Sequence, residues 1–350
     1  MIIAFYLESV ENTGGVNKVV SIIASKLVEK GYTVHIISRY EGKKALFELH
    51  KDVQLHELFP HFKSKYLTLG LEYIRLRKIV KDNRIDLLIS TGATFFTIAH
   101  FIKDVRHFEW DHVSFWHGNK VLQWGRKLAA RKAEKVIVLT QDNKIQFEQI
   151  KGCRAEVVRI FNPETFVPDM VSDINSKNII SVGYIGKQKG YDLLIKSWQL
   201  VPEKVKKDWR LQIAGGDEGD LAFLKEYIAE NKIEGIDFLG FRTDIKQLMA
   251  KSAFYVMSSR WEGLPMVLIE AQTLGLPIVS FDCKTGPKDI VTENTGILVK
   301  ESNIQEMAVA LERMMTNTEF RSMCQQNALK AAQRFKIELI VEQWIKVINN

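Results

Sequence analysis

The chain has 350 residues, of which 46% are apolar and 26% are charged, and its net charge is +7. This is the composition of a soluble globular protein, and the length is enough for two domains that each have a hydrophobic core. An integral membrane protein and a secreted precursor are not expected, because no apolar run reaches the ~18 residues of a membrane span and the opening MIIAFYLES lacks the basic start of a signal peptide.

Apolar runs alternate with amphipathic stretches along the first half of the chain. Short runs rich in Val and Ile, separated by helical segments, indicate parallel strands buried on both faces, as in a doubly wound sheet. The predicted strands are IIAFYL (2–7), TVHIIS (33–38), DLLIST (86–91), FEWDHVSF (108–115), KVIVLT (135–140) and AEVVRIF (155–161), and the predicted helices cover 16–31 and 71–83.

The alternation restarts after FNPETFVP (161–168), where prolines break the chain. We therefore predict an α/β fold with two doubly wound domains, 1–162 and 163–335, and a last helix (336–350) that crosses back to the first domain. The predicted strands of the second domain are 178–184, 209–215, 237–241, 253–259 and 276–282, and its predicted helices are 192–201, 221–232, 265–275 and 303–317.

The positive charge is concentrated in the first domain. Residues 1–162 hold 26 Lys and Arg against 17 Asp and Glu, whereas the rest of the chain holds 23 against 25. Such an asymmetry favours an anionic surface or substrate near the first domain, and a solvated basic surface is the alternative. Nucleic acid is not expected, because no recognition helix, RNP or zinc-finger pattern is present.

Three cysteines, Cys153, Cys283 and Cys324, lie far apart in the chain. There is no CxxC pair and no cluster of His and Cys at metal-binding spacing. We therefore expect reduced thiols in a cytoplasmic protein.

The loops that follow strands are the expected sites, because ligands bind beyond the carboxyl ends of parallel strands and in the cleft between two such domains. TGGVN (13–17) follows the first strand, and its glycines and helix start suit an anion. An ordinary structural turn is the alternative. The full GxGxxG spacing is missing, which argues against a dinucleotide-dependent dehydrogenase.

Two loops of the second domain place cations after strands. VGYIGKQKGYDLL (182–194) has Lys189 directly before Gly190, at a helix start, which suits a phosphate as well as it suits a solvated lysine. FRTD (241–244) ends a further strand and carries Arg242.

The segment SSRWEGLPMVLIEA (258–271) holds two carboxylates eight positions apart, Glu262 and Glu270. Pro265 fits the first turn of a helix, which places Glu262 in the preceding loop and Glu270 about one turn inside. Eight residues span roughly 12 Å if helical, so the two carboxylates suit different parts of one ligand. A capping Glu and a buried, paired Glu are the alternative.

With these segments, the chain resembles a family-4 retaining glycosyltransferase of the GT-B fold, in which two Rossmann-like domains face each other across a cleft. The E-x7-E signature appears as Glu262 and Glu270. The resemblance covers essentially the whole chain and is most specific in the second domain. Other family-like segments are TGGVNK, VGYIGKQKGYDLLI, IAGGDEGDLAFLK, FLGFRTDI and GPKDIV.

The resemblance implies transfer of a sugar from a nucleotide-diphosphate donor with retention at the anomeric carbon. Carried across, Glu270 binds the donor ribose, Glu262 meets the donor sugar and Lys189 holds the diphosphate. No metal or other cofactor is expected, because Lys189 and helix-end amides offset the leaving charge. The other donor-binding positions that the resemblance implies are Gly15, Gly183, Tyr184, Lys187, Arg242, Gly263, Leu264, Pro265 and Met266.

The chain departs from the family pattern at Tyr184 and matches a further pattern at 110–114. Family members often have an Arg at the position of Tyr184, so either Lys187 supplies a second cation or the diphosphate relies on Lys189 and amides. Members that act on bacterial surface polysaccharides often carry W-x-H-x-S/N, which WDHVS (110–114) resembles. This implies His112 beside the transferred sugar, with His117 as the alternative.

The implied reaction moves a hexose or N-acetylhexosamine, with UDP as the expected nucleotide, to a glycan or lipid-linked acceptor of lipopolysaccharide, O-antigen or capsule synthesis. The acceptor is expected on the basic first domain. There HFKSKYLTLGLEYIRLRK (61–78) and WGRKLAARKAEK (124–135) suit peripheral contact with an anionic inner membrane, or are ordinary amphipathic helices. The competing functions are a GT-B epimerase, a phosphorylase and a non-catalytic protein that binds nucleotide sugars.

Overall fold

A computed structural model describes residues 1–12, 14–60 and 65–350, apart from the side chains of residues 65–68. The chain divides into two compact units. The first contains Met1–Thr165 together with Ile337–Asn350, and the second contains Phe166–Lys336. Each unit has its own parallel sheet with helices on both faces, so the predicted α/β, GT-B type of fold is confirmed.

The sheet of the first unit has seven strands. They are β1 (Ile2–Leu7), β2 (Thr33–Tyr40), β3 (Gln54–Phe59), β4 (Leu87–Ser90), β5 (Arg106–Asp111), β6 (Lys135–Val138) and β7 (Glu156–Arg159). They are parallel in the order β3-β2-β1-β4-β5-β6-β7. The order reverses between β1 and β4, so the loops after these strands meet at the position where open sheets bind ligands.

Within the described part of this unit, five helices connect these strands: α1 (Gly15–Glu29), α2 (Lys65–Asp82), α3 (Ala93–Ala99), α4 (Lys120–Lys132) and α5 (Gln141–Glu148). The structure differs from the prediction at two strands. The strand predicted at 108–115 ends at Asp111, so residues 112–115 belong to a loop. β3 was not predicted, because QLHELF is a half-buried edge strand whose polar residues hide the apolar pattern.

The sheet of the second unit has six strands: β8 (Asn178–Val182), β9 (Arg210–Ala214), β10 (Ile236–Gly240), β11 (Phe254–Met257), β12 (Ile278–Asp282) and β13 (Gly296–Lys300). They are parallel in the order β10-β9-β8-β11-β12-β13. Here the order reverses between β8 and β11. GILVK, which forms β13, was not predicted as a strand.

The helices of the second unit pack on both faces of its sheet. In α6, apolar residues three and four positions apart, Leu194, Ile195 and Trp198, are fully buried in the core, as an amphipathic helix requires. The helices are α6 (Tyr191–Leu200), α7 (Glu203–Lys206), α8 (Leu221–Glu230), α9 (Ile245–Ala250), α10 (Met266–Thr273), α11 (Pro287–Ile290), α12 (Ile304–Thr316) and α13 (Thr318–Ala332).

The last helix, α14 (Ile337–Asn349), packs within the first unit. The ring centroid of Trp344 lies 4.6 Å from that of Trp110 on β5 and 6.4 Å from that of Phe5 on β1. Arg106 Nη1 donates a hydrogen bond of 2.7 Å to the carbonyl of Ile348. The helix therefore completes the core beneath β5.

Candidate active site

The loops after β8 and β11 form the candidate site of the second unit. The two strands are neighbours in the sheet, with Ile179 opposite Phe254, at the point where the strand order reverses. The loops 183–190 and 258–265 therefore start side by side from the carboxyl ends of these strands, where open α/β sheets bind ligands.

An ion pair joins the two loops. Lys189 Nζ lies 2.7 Å from Glu262 Oε1, and the two side chains are only 15% and 10% exposed. Hydroxyl groups fix both backbones, because Ser258 Oγ donates a 2.8 Å hydrogen bond to the Lys189 carbonyl and Thr285 Oγ1 donates to the Glu262 carbonyl. Sequence reasoning singled out both residues but did not predict that they contact each other.

Two glycines allow the loops to approach this closely. Gly190 has φ +63°, and a Cβ atom there would lie 2.2 Å from the carbonyl oxygen of Ser258. A Cβ atom on Gly183 would lie 2.9 Å from Cε of Lys189. The Gly-rich sequence is therefore required to pack the loops and to place the lysine, whatever ligand they bind.

The helix α10 begins beside this ion pair. Its first residue is Met266, so the prediction that Pro265 lies in the first turn is wrong by one position: Pro265 is the N-cap, with φ −71° and ψ 104°. No side chain caps this helix end, which leaves the helix N-terminus suited to an anion. Glu270 is buried one turn inside the helix, as predicted, and Gly263 and Leu264 lie in the loop before it.

Tyr184 lies in the wall of the site. Its hydroxyl donates to Gln188 Oε1, and Lys189 Nζ lies 5.6 Å from the centroid of its ring. Burial raises the pKa of Tyr184, and the carboxylates of Glu218 and Glu262 raise it further. The phenol is therefore a neutral neighbour of the lysine at neutral pH.

Two cations that were predicted to bind the donor, Lys187 and Arg242, contact other groups. Lys187 is exposed, and its carbonyl accepts a 2.8 Å hydrogen bond from Arg260 Nη1. Arg242 pairs with Asp244, at 2.6 Å between Nη2 and Oδ2. Among the described residues, neither cation has an ion pair with Glu262.

Arg260 is a site residue that sequence reasoning missed. Its guanidinium binds Asp192 with two hydrogen bonds of 2.9 and 2.7 Å, and its amide donates to the Gln188 carbonyl at 2.8 Å. These bonds tie the loop after β11 to the loop after β8. Its position beside Trp261 and Glu262 in the signature segment was the available signal.

In the first unit, the predicted glycine turn lies at the start of α1. Gly15 is the first helical residue and Gly14 is its N-cap, without a side-chain cap. Asn17 holds the turn, because its Nδ2 donates to the carbonyls of Ser9 at 2.6 Å and Asn12 at 2.9 Å. Residue 13 of the TGGVN segment lies outside the described residues.

His112 is the first residue after β5. Its ring centroid lies 4.3 Å from that of Trp110, and its buried Nε2 has no hydrogen-bond partner within residues 1–12, 14–60 and 65–350. Burial lowers the pKa of His112 to about 3, so the ring is neutral at neutral pH. His117 lies further along the same loop, where its amide donates to the Ser114 carbonyl at 3.1 Å.

A buried ion pair that sequence reasoning missed holds this loop. Arg126 on α4 binds Asp111 at 2.6 Å (Nε to Oδ2) and 3.0 Å (Nη2 to Oδ1), and both side chains are at most 1% exposed. The guanidinium also donates to the carbonyls of Val113, Ser114 and Phe115, at 2.9, 3.1 and 2.8 Å. One arginine therefore fixes the backbone that follows His112.

Glu109 lies two residues before Asp111 on β5 and is completely buried. Both carboxylate oxygens are buried without a hydrogen-bond partner in the described part of the chain. Burial raises the pKa of Glu109 well above its usual value, Asp111 raises it further and Arg126 lowers it. Glu109 is therefore a buried carboxyl with a raised pKa beside the ion pair, in a segment where the sequence indicated only a strand.

The described residues contain no group of three or more His, Cys, Asp or Glu side chains that could hold a metal ion. Within the same residues, no helix combines the length and the apolar character needed to cross a bilayer.

All three cysteines are free thiols. Burial raises the pKa of Cys283 to about 12 and that of Cys324 to about 11.

Two family models match this chain: "Glycosyl transferases group 1" over residues 166–331 and "Glycosyltransferase Family 4" over residues 13–163. The chain is 30% identical to an uncharacterized glycosyltransferase of Haemophilus influenzae and 26% identical to the amylovoran biosynthesis glycosyltransferase AmsD of Erwinia amylovora, each over 98% of both chains. It is also similar to the crystal structure of Anabaena HepE in complex with UDP and glucose, with a TM-score of 0.81, 21% identity and coverage of 100% of both chains.

Proposed function

This chain belongs to the group 1 glycosyltransferases, with a family 4 domain in its first half, and on that premise we propose that it transfers a hexose or N-acetylhexosamine from a UDP-linked donor, with retention. The observation that carries the proposal is the Lys189–Glu262 ion pair at the point where the second sheet reverses its strand order. The likeness to a fold that binds UDP and glucose in HepE supports the choice of donor class.

In the proposed donor site, Lys189 and the N-terminus of α10 bind the diphosphate. Glu262 contacts the sugar and Glu270 binds the ribose. The carboxylates lie before and inside the same helix, so its uncapped N-terminus lies between them along the chain. Fixed hydrogen-bond donors that stabilise the charge on a leaving group often make the greatest single contribution to an enzyme's rate enhancement.

In the proposed reaction, the bond between the anomeric carbon and the diphosphate oxygen breaks, and its electron pair remains on the diphosphate. The acceptor hydroxyl oxygen forms a new bond to the same face of the anomeric carbon, and its proton passes to the departing phosphate oxygen. His112, neutral and without a partner on Nε2, is proposed to hydrogen-bond the transferred sugar. Lys189 and the amides of α10 are proposed to offset the leaving charge without a metal.

The direct test is a panel of nucleotide sugars. We expect one UDP-sugar to raise the melting temperature of the wild-type chain, and mass spectrometry to detect a product heavier than the acceptor by one hexose or N-acetylhexosamine. We also expect the activity to persist in EDTA. Conversion of the donor to an isomeric sugar nucleotide without an acceptor would favour the epimerase, and formation of a sugar phosphate only when inorganic phosphate is added would favour the phosphorylase.

We further propose that the acceptor is a glycan or a lipid-linked glycan of bacterial surface polysaccharide synthesis. The amylovoran function of AmsD supports this class of product. The outer face of α4 suits an anionic membrane, because Val121 and Trp124 are about half exposed and lie among the exposed Lys127 and Arg131. The first four residues of the other basic segment, 61–64, lie outside the described residues.

Co-sedimentation with vesicles tests the membrane contact. We expect the chain to bind phosphatidylglycerol vesicles at low salt, to be released by high salt, and to bind phosphatidylcholine vesicles weakly, because the attraction to anionic lipid is screened. A Trp124→Ala variant should bind less. Equal binding to both lipids, or none, would contradict this contact and leave the transfer reaction untouched.

A further inference from the structure

Four basic side chains surround one cavity at the amino end of the first sheet. The cavity has a volume of about 360 Å³ and is formed by the end of α2, the turn before β4 and the turn before β5. His112 and Gly15 follow the carboxyl ends of strands, so this cavity lies at the opposite edge of the sheet. Its lining residues are Arg77, Val80, Lys81, Arg84, Ile85, Ile102, Lys103 and Asp104.

The four cations are exposed side chains that share one cavity. Among the described residues, none of the four forms an ion pair, although Asp104 lines the same cavity. Some cations elsewhere in this unit do have carboxylate partners within 3 Å, as in the pairs Lys26–Glu29, Arg106–Glu134 and Lys135–Glu156. Like charges gathered around one cavity repel each other, so an anion that entered the cavity would relieve this repulsion.

The cluster is built by the fold and not by a single run of charges. Arg77 and Lys81 are one turn apart on α2, whereas Lys103 comes from a separate turn after α3. Between them lies an apolar wall of Val80, Ile85 and Ile102, all at most 5% exposed. An apolar wall next to cationic side chains is the usual form of a site for an anionic ligand.

We propose that this cavity binds a phosphate-bearing ligand with two or more negative charges, such as a diphosphate or a phosphomonoester. Two arginines suit such a group, because each guanidinium can donate two parallel hydrogen bonds to phosphate oxygens. The ligand is either a soluble phosphate compound or the headgroup of an anionic lipid. The site is separate from Lys189 and the donor loops, so its test does not require sugar transfer.

Calorimetric titration with inorganic pyrophosphate tests the site, with every variant made in a Lys189→Met background so that the proposed diphosphate site of the second unit does not contribute. We expect the Arg77→Gln/Arg84→Gln double variant to bind pyrophosphate at least about tenfold more weakly than the Lys189→Met parent, because each removes a charged hydrogen bond. The Lys127→Gln/Arg131→Gln double variant on α4 is the matched control for net charge. Its affinity for pyrophosphate should stay within about twofold of the parent's affinity. An equal loss in both double variants would show attraction by net charge alone and overturn the site.

Two further measurements keep the proposal testable. Lys103→Gln alone should weaken pyrophosphate binding about threefold or more, because it removes a cation from the second element; no loss there would also overturn the site. Thermal melting of each variant identifies any loss that comes from unfolding.

Vesicles distinguish the two sources of the phosphate. Vesicles with phosphatidic acid, whose headgroup is a phosphomonoester, should bind wild type better than phosphatidylglycerol vesicles of equal charge if the ligand is a lipid. The exposed Ile74, which lines an adjoining cavity with Arg77 and Lys81, would then contact the bilayer. Pyrophosphate binding without any preference for phosphatidic acid would assign the site to a soluble compound.

Discussion

One ion pair joins the loops after β8 and β11 in the second unit, and another joins the end of β5 to α4 in the first unit, but the two pairs differ in kind. Lys189 and Glu262 keep some exposure and end at the sheet edge. Asp111 and Arg126 are fully buried, and the arginine directs its remaining hydrogen bonds to backbone carbonyls. In the proposed donor site the first pair meets the ligand, whereas the second fixes the loop that carries His112.

The comparison predicts the largest effect for the buried pair. Arg126→Met should lower the free energy of unfolding by about 3–5 kcal/mol, because Asp111 would be left buried without its partner. Urea denaturation monitored by circular dichroism measures this loss. Lys127→Met, an exposed neighbour on the same helix, should stay within about 0.5 kcal/mol of wild type. If Arg126→Met is no worse than this control, the two ion pairs do not differ as proposed.

The second prediction concerns the Lys189–Glu262 pair, which keeps some exposure. Lys189→Met should lower kcat for sugar transfer by about 10²–10³, the usual cost of removing one group that stabilises developing charge. Its effect on stability should be smaller than that of Arg126→Met, because the partner carboxylate retains contact with water. Lys187→Met in the same 3₁₀ turn is the control and should keep kcat within about threefold. A Lys189→Met enzyme with more than about a tenth of wild-type kcat would contradict the assigned role.

The third prediction uses Glu109, which has no counterpart in the loops of the second unit. Because its folded-state pKa is raised, the folded chain keeps the carboxyl proton over a pH range in which the unfolded chain has released it. Stability therefore falls as pH rises, by up to about 1.4 kcal/mol per pH unit, until the folded-state pKa is passed.

Glu109→Gln should remove this fall, because the amide does not ionise. Melting curves of wild type and Glu109→Gln from about pH 5 upward isolate it as the difference between the two proteins, because the histidines and cysteines with shifted pKa values are the same in both. Parallel wild-type and Glu109→Gln curves over that range would mean that Glu109 is already ionised in the folded chain.

These differences also mark how far the sequence could predict the site. Glu262, Glu270 and Lys189 were found because strands, glycines and a helix start surround them within short segments. Arg126 and Asp111 are 15 residues apart, with a strand end and a loop between them, and neither segment indicates the other.

Contacts between residues that are farther apart in the chain could not be predicted from the sequence, for the same reason. Arg260 and Asp192 are 68 positions apart, and their contact depends on β8 and β11 being neighbours, which is a property of the strand order. The two doubly wound sheets were predictable from the alternation of buried strands and helices. The edge strand β3 was not, because half-buried strands lack a continuous apolar run.

The smallest predicted effect concerns Tyr184, the position where the family resemblance led us to expect a second cation. Tyr184→Ala removes the ring that lies 5.6 Å from Lys189 Nζ, and a cation–π contact of this kind contributes about 0.5–1 kcal/mol, so the donor KM should rise about two- to fivefold. Tyr184→Phe keeps the ring and loses only the hydrogen bond to Gln188, so this variant should raise the donor KM less. If Phe and Ala raise the donor KM equally, the hydroxyl and not the ring positions the lysine, and Tyr184 acts through the loop that Gln188 holds by its 2.9 Å bond to the Trp261 carbonyl.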